Sequence, residues 1–487
     1  MRKKTEKKPS NKLKVLFISA EAAPFIKAGG LADVSGALPS ELNGQGVETI
    51  VVLPYYKAIG KGRKDINYIG KTVVEVGWKK LYCGIFKAKI GKLEYYFIDN
   101  EQYFWREKIY GEYDDAERFA FFSKAALELA EFLNFKADII HANDWHAAMS
   151  IVYLDLKKRL NCSFYLNMKS LLAIHNIEFQ GKFDPIILGG VFGISEEMLP
   201  VFMYGKSINL LKAGIQLADR VTTVSETYGE EILNPYFSFG LNEILMREKS
   251  KIFGITNGID TEVFNPATDK ALVQNYDISS INLKVKNKTA LQEKYLLSVD
   301  KNIPLIAMVT RLTDQKGMDI VLEVMDRILS RNIQFVILGT GYKKYEDAMR
   351  EWESKRRDKV RSIIKFSTTI ASELYAASDM FLMPSRQEPC GLSQMIAMRY
   401  GSIPIVHRIG GLKDTVEPYN METKTGNGVT FESYNAYDML DAIDRAISLY
   451  ENKGNRENII KNAMKKDFSW NDPARKYIEL YKSMLTK

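Results

Sequence analysis

The sequence predicts an α/β protein made of two doubly wound units, and three observations carry that prediction. Residues 14–19 form a strand-like run that passes through Glu21-Ala22-Ala23-Pro24 and Gly29-Gly30 into an apolar-periodic stretch at 31–42. The same arrangement recurs in the second half, where the run 305–310 passes through Arg311 to Gly317 into a helical pattern at 318–329. Further short apolar runs end in or just before Gly, Pro, His or Ser, which gathers polar residues at strand carboxyl ends, where sheets of this class bind ligands.

In order, the first unit gains strands from 48–53, 137–141, 171–175 and 220–224, and the second from 335–338, 380–383 and 403–406. The boundary is expected at Ile255-Thr256-Asn257-Gly258-Ile259-Asp260, followed by a polar, irregular stretch at 265–288. The closing segment 470–485 has helical periodicity and is expected to lie across both domains. No internal sequence repeat accompanies the architectural echo.

The chain has 487 residues, 46% hydrophobic and 26% charged, enough for two or three cores. No run approaches the roughly 20 apolar residues of a membrane span. The basic residues Arg2, Lys3, Lys4, Lys7 and Lys8 precede the apolar run at 15–18, but Glu21 cuts that run short, so it reads as a strand after a tail. Residues 1–14 hold seven Lys or Arg and one Glu, so most of the net +8 charge lies there and the body is nearly neutral. That distribution, with no nucleic-acid-binding signature, argues against a nucleic-acid partner and for a disordered solubilising leader. Cys83, Cys162 and Cys390 form no pairing or zinc pattern, which points to a reducing cytoplasm.

Met383-Pro384-Ser385-Arg386-Gln387-Glu388-Pro389-Cys390 places one carboxylate, Glu388, in a loop after a strand, and Gly391-Leu392 can open a helix whose free N–H groups face an anion. On this segment alone, Glu388 reads equally as a ligand-facing carboxylate or as a solvated loop residue. All four histidines lie at strand ends: His141 and His146 in His-Ala-Asn-Asp-Trp-His, His175 and His407. The spacing of His141 and His146 fits no zinc frame, so no metal is expected. Lys27 before Gly29-Gly30, with Arg311 and Lys316, supplies long cationic donors suited to a diphosphate. The absence of a Walker A sequence and of G-x-G-x-x-G leaves phosphate to side chains and helix ends, while Gly339-Thr340-Gly341 offers close backbone approach.

Lys27-Ala28-Gly29-Gly30-Leu31-Ala32-Asp33 resembles the N-terminal signature of bacterial glycogen synthases and plant starch synthases. So do His141 to His146, Ala173-Ile174-His175-Asn176, Thr310-Arg311-Leu312 with Gln315-Lys316-Gly317, and Ser385 to Gln394 with Gly410-Gly411-Leu412. The motifs occur in order over essentially 13–481. The resemblance implies the GT-B fold, two Rossmann-like domains facing each other across a deep cleft. Its parts are a basic tail at 1–12, an acceptor-side domain at 13–262, a nucleotide-sugar domain at 263–468 and a terminal helix at 469–487 that crosses back. It implies a cytoplasmic enzyme that transfers glucose from ADP-glucose to the non-reducing end of an α-1,4-glucan (glycogen or malto-oligosaccharides) with retention of configuration, without metal or other cofactor, and with no membrane partner. Oligomeric state is left open.

By the same resemblance, Glu388 binds the sugar and stabilises charge, His175 meets the primary hydroxyl, and Arg311 and Lys316 hold the leaving phosphate. Asp144 and Trp145 correspond to residues near glucose and acceptor, Asn257 to a sugar-contacting asparagine, and Asp33 to the Lys27 loop. Gly29, Gly30, Gly341, Cys390, Gly391 and Leu392 complete the expected binding residues, although the Cys390 thiol itself is read as structural. Phe366 stands where some relatives stack a tyrosine on adenine, and Ile396 where the wider GT-B group often has a ribose-binding glutamate. A UDP-glucose-preferring or starch-type synthase is the alternative within the fold, and a catalytically silent glucan-binding protein the alternative outside the enzyme class.

Overall fold

The structure, a computed structural model, describes residues 12–486, so the expected basic tail lies outside the described residues apart from Lys12. The chain divides into two compact units. Unit 1 takes the described residues up to Val224 together with Gly229–Ile255 and the chain from Trp470 onward; unit 2 takes Ser225–Tyr228 and Thr256–Ser469. Among the described residues no helix is long and apolar enough to cross a membrane.

Unit 1 contains β1 (Lys14–Ile18), β2 (Glu48–Pro54), β3 (Asn67–Val76), β4 (Lys79–Ile90), β5 (Leu93–Asp99), β6 (Ile139–Asn143) and β7 (Lys169–Ile174). The short strands β8 (Lys182–Phe183), β9 (Met203–Tyr204) and β10 (Ser207–Asn209) form a separate small sheet, and β11 (Arg220–Thr223) and β12 (Ile252–Gly254) complete the main one. The main sheet has nine strands in the order β12-β11-β7-β6-β1-β2-β5-β4-β3. From β12 to β5 all pairs are parallel, and β4 and β3 add an antiparallel edge. The chain runs outward from β1 on one side and returns to β6 on the other, which makes the carboxyl ends of β1 and β6 a topological switch point.

Strand β1 is apolar along both faces because both are covered: Val15, Leu16, Phe17 and Ile18 are fully buried. The helix Gly30–Gly44 buries Leu31, Val34, Leu38 and Leu42, a stripe at helical spacing. The edge hairpin was not anticipated from sequence. Its strand β3 alternates exposed and covered residues rather than presenting an apolar run, the pattern of a strand with one wet face. Tyr95 and Tyr96, on β5, are core residues.

Unit 2 is a six-stranded, all-parallel sheet of β13 (Leu305–Val309), β14 (Gln334–Leu338), β15 (Val360–Ile363), β16 (Met380–Met383), β17 (Ile403–His407) and β18 (Val429–Phe431). Its order, β15-β14-β13-β16-β17-β18, puts a second switch point between β13 and β16. The helical pattern expected at 318–329 is two short helices, Met318–Glu323 and Met325–Ser330.

The stretch expected to be irregular at 265–288 already contains the start of a helix, Lys284–Lys294. Lys284 and Lys288 are buried rather than solvated, because they answer carbonyls and a carboxylate. Lys284 Nζ donates to the carbonyls of Tyr375 and Ala376, at the end of the helix Thr368–Ala377, and Lys288 Nζ lies 2.6 Å from Asp379 Oδ2. Burial lowers the Lys284 pKa to about 7. The terminal helix Asn471–Leu485 packs within unit 1, where Tyr481 Oη lies 2.7 Å from His141 Nδ1.

Candidate active site

In unit 1, the predicted residues Lys27, Asp144 and His175 all follow parallel strands at the switch end of the sheet. Asp144 is the residue after β6 and has φ +54°, a left-handed conformation that aspartate tolerates better than most residues. Its Oδ1 accepts the His175 backbone N–H at 2.7 Å, and the Asn176 N–H also points to it. Burial nevertheless dominates and pushes the Asp144 pKa up to about 7, the two N–H groups opposing the shift.

His175 follows β7. Its Nε2 lies 2.9 Å from Asn143 Oδ1, while Asn143 Nδ2 donates to the Ile18 carbonyl at 3.0 Å. The Asn143 amide is therefore oriented with its oxygen toward the ring, which makes Nε2 the protonated nitrogen. Burial lowers the His175 pKa to about 4, so the ring is neutral and Nδ1 is an acceptor.

Lys27 Nζ pairs with Asp33 Oδ1 at 2.7 Å across the first turn of the helix Gly30–Gly44. Gly29 is the N-cap and Gly30 the first helical residue, as an anion cradle needs. Part of that cradle is already occupied: Glu21 Oε2 accepts the N–H groups of Ala28 and Gly29 at 2.5 and 2.9 Å, and Glu21 Oε1 accepts the Tyr110 hydroxyl at 2.6 Å. Glu21 and Tyr110 are the residues the sequence reading missed. The signal was available for Glu21, a lone carboxylate just beyond an apolar strand, the same pattern that singled out Glu388.

Trp145 is buried, as Asp144 and Glu388 are. It packs on His146 at 4.1 Å and on Phe119 at 5.3 Å between ring centroids. His146 is likewise buried, with its pKa lowered to about 3 by burial and then by the Arg118 charge. His141 bonds to Tyr481, so these two histidines act within the core.

In unit 2 the expected residues converge across the second switch point. Lys316, in the turn after β13, places Nζ 2.6 Å from Glu388 Oε2, in the loop after β16, and Ser385 Oγ donates to the same oxygen at 2.9 Å. The loop is held from behind by His407, whose Nδ1 lies 2.7 Å from the Ser385 carbonyl, and by the Gly411 N–H, which donates to the Glu388 carbonyl at 3.1 Å. Gly317, at φ +78°, closes the Lys316 turn so tightly that a Cβ there would collide with the Pro384 carbonyl oxygen.

Arg311 is exposed and donates to Gln315 Oε1 at 3.0 Å. Asn257 is buried with Oδ1 unpartnered. Cys390 is buried and its thiol pKa is pushed up to about 12 by burial, as a structural cysteine's would be. Gly391 and Leu392 lead into the helix Ser393–Arg399, with Leu392 as N-cap. The Gly341 N–H donates to Glu346 Oε1 at 3.0 Å, beside the Leu312 carbonyl. Phe366 presents its ring to solvent at 71% exposure. Among the described residues no group of three or more His, Cys, Asp or Glu side chains is placed to hold a metal ion.

The family model described as starch synthase catalytic domain matches residues 14–247, and that of glycosyl transferases group 1 matches 287–466. A glycogen synthase of Clostridium beijerinckii is 46% identical over 97% of this chain and 99% of its own. One of Streptococcus uberis is also 46% identical, over 96% and 99%. The chain belongs to the glycogen synthase family. As a member it is a glycosyltransferase of GT-B fold. The catalytic domain of starch synthase IV from Arabidopsis thaliana, solved bound to ADP and acarbose, superposes with TM-score 0.91 at 34% identity, over 98% of this chain and 100% of that one. Sucrose-phosphate synthase from Thermosynechococcus elongatus, at TM-score 0.60 and 17% identity over 97% and 99%, shares the fold.

Proposed function

We propose that this glycosyltransferase moves glucose from ADP-glucose to the non-reducing end of an α-1,4-glucan, with retention and release of ADP. The observation that carries the reading is the Lys316–Glu388–Ser385 arrangement, a cation and a carboxylate held in contact at a switch point. Lys316 and Arg311 meet the leaving diphosphate, whose charge grows as the glycosidic bond breaks, so they favour the transition state over the bound donor. Glu388 Oε2 is taken by Lys316 and Ser385, which leaves Oε1 for the glucose hydroxyls and for the positive charge developing on the ring. Asn257 Oδ1 is the acceptor for a further hydroxyl of that glucose.

Attack from the leaving-group face accounts for retention without a covalent intermediate. The bond from the anomeric carbon to the phosphate oxygen breaks, the bond to the acceptor O4 forms on the same face, and the O4 proton passes to the departing phosphate. ADP in the Arabidopsis relative supports an adenine nucleotide, and acarbose a glucan acceptor. The exposed Phe366 ring is the group assigned to the base. The charge on the diphosphate is met by side chains, so activity is expected to survive EDTA.

The test compares ADP-glucose and UDP-glucose as donors for maltotriose extension and reads the anomeric configuration of the new linkage by NMR. Preference for ADP-glucose with an α-linkage is the expected result. Preference for UDP-glucose overturns the donor assignment, and a β-linkage overturns retention.

A further inference from the structure

Glu21 is buried beneath an exposed turn. It follows β1 by way of Ser19 and Ala20 and is 4% exposed, whereas residues 27–30 lie open to solvent. The chain between them folds back on itself. Ala22 and Ile26 form an antiparallel bridge, the Phe25 and Ile26 N–H groups both donate to the Ala22 carbonyl at 3.0 Å, and the Ala23 N–H donates to the Ala32 carbonyl at 2.9 Å. That return brings Ala28 and Gly29 onto the Glu21 carboxylate, whose Oε2 accepts both of their N–H groups.

The other carboxylate oxygen is fixed as well. Tyr110 Oη donates to Glu21 Oε1 at 2.6 Å. Burial raises the phenol pKa well above its ordinary value and the Glu21 charge adds to the effect, so the hydroxyl keeps its proton. Tyr110 is pinned through its chain neighbours. The fully buried Arg118 pairs with Asp115 at 2.8 Å and donates to the Ile109 carbonyl at 2.5 Å, while the Gly111 and Glu112 N–H groups donate to Asp115 at 2.9 and 3.2 Å. The Tyr110 ring also packs on His146 at 4.5 Å between centroids. Three donors thus converge on Glu21, and all three are neutral. A buried carboxylate met by neutral donors is costly beside an apolar side chain, so stability alone does not account for it.

What Glu21 holds is the Lys27–Gly30 turn. It takes the Ala28 and Gly29 N–H groups from the buried side, which removes them from the turn's donors to an external anion. Lys27 Nζ and the Gly30 N–H, at the first helical position, are the donors that remain. We propose that Glu21 is a positioning residue for glucosyl transfer, whose hydrogen bonds fix this turn in the orientation that meets the donor's diphosphate. That the anion is a nucleotide diphosphate rests on the proposed activity; that Glu21 sets the turn rests on its hydrogen bonds.

The test measures ADP binding, and transfer from ADP-glucose to glycogen, with the full chain. Glu21→Ala is expected to raise the Kd for ADP and the KM for ADP-glucose about tenfold, with the KM for glycogen unchanged. Glu21→Gln keeps an oxygen for the Ala28 and Gly29 N–H groups and is expected to stay within about threefold of the parent. Tyr110→Phe frees Oε1 alone and is expected to raise the same two constants about threefold, which keeps the experiment decisive if Glu21→Ala unfolds. A lowered melting temperature with both donor constants unchanged overturns the proposal, since Glu21 would then serve folding only. So does an equal rise in the KM for glycogen, or a loss in Glu21→Gln as large as in Glu21→Ala, which would make the charge and not the hydrogen bonds the working part. If the parent transfers no glucose, yet Glu21→Ala weakens ADP binding and Glu21→Gln does not, the transfer reading fails and the positioning of the turn stands. A parent that binds no ADP overturns both.

Discussion

Lys316 Nζ lies 2.6 Å from Glu388 Oε2, joining the turn beyond β13 to the loop beyond β16. Their side chains are only 16% and 7% exposed, so removing either leaves a poorly solvated charge, at a cost of about 2–4 kcal/mol. Lys316→Met and Glu388→Gln are each expected to lower kcat by about 10²- to 10³-fold. Because the two act as a pair, a double-variant cycle on urea unfolding should show a coupling of about 1–3 kcal/mol. Additive losses would show that the contact is incidental.

Gly317 makes that contact possible, since its left-handed φ and the nearby Pro384 carbonyl leave no room for a side chain. Gly317→Ala is expected to cost about 1–3 kcal/mol and to lower activity more than tenfold by moving Lys316 away from Glu388. Thermal melts and ADP-glucose turnover check it; normal values in both would mean that the turn relaxes freely.

Asp144 has a pKa raised to about 7 in the folded chain, against about 4 when unfolded. Between those values the folded state holds the proton more tightly, so this residue stabilises most below pH 4 and its contribution is lost as pH rises through 7. His175, with its pKa lowered to about 4, acts in the opposite sense: its contribution is present above about 6.5 and is lost as pH falls through 4. Asp144→Asn keeps an acceptor for the His175 N–H and removes only the first effect. Its melting temperature relative to the parent should therefore climb between pH 5 and pH 8; a difference that stays constant with pH contradicts the assigned pKa.

His141 is a structural residue in this account, bonded to Tyr481 of the terminal helix. Tyr481→Phe is expected to cost about 1 kcal/mol and leave kcat unchanged. A large fall in kcat at unchanged stability would return His141 to the chemistry.

The parallel strands were legible because buried parallel strands are short, wholly apolar runs that stop at polar residues. The run at 15–18 and Met380–Met383 announce themselves in this way. The β3–β4 hairpin escaped because its wet face breaks the apolar run. Glu388 and Lys316 were legible as types at strand ends, but their mutual contact depends on β13 and β16 being neighbours, which seventy-odd residues of intervening chain conceal. Three of the four histidines, alike in sequence, are told apart by partners distant in the chain: Tyr481 for His141, Asn143 for His175 and the Ser385 carbonyl for His407. Glu21 carried the same local signal as Glu388, and only the fold connects it to Ala28, Gly29 and Tyr110.

The most direct measurement of glucosyl transfer incubates the protein and its Glu388→Ala variant with radiolabelled ADP-glucose and short malto-oligosaccharides, then resolves the products by chain length. Stepwise extension by the parent is expected, with extension reduced by about 10²-fold or more in the variant. Near-normal extension by Glu388→Ala, or none by the parent with any nucleotide glucose, would contradict this expectation.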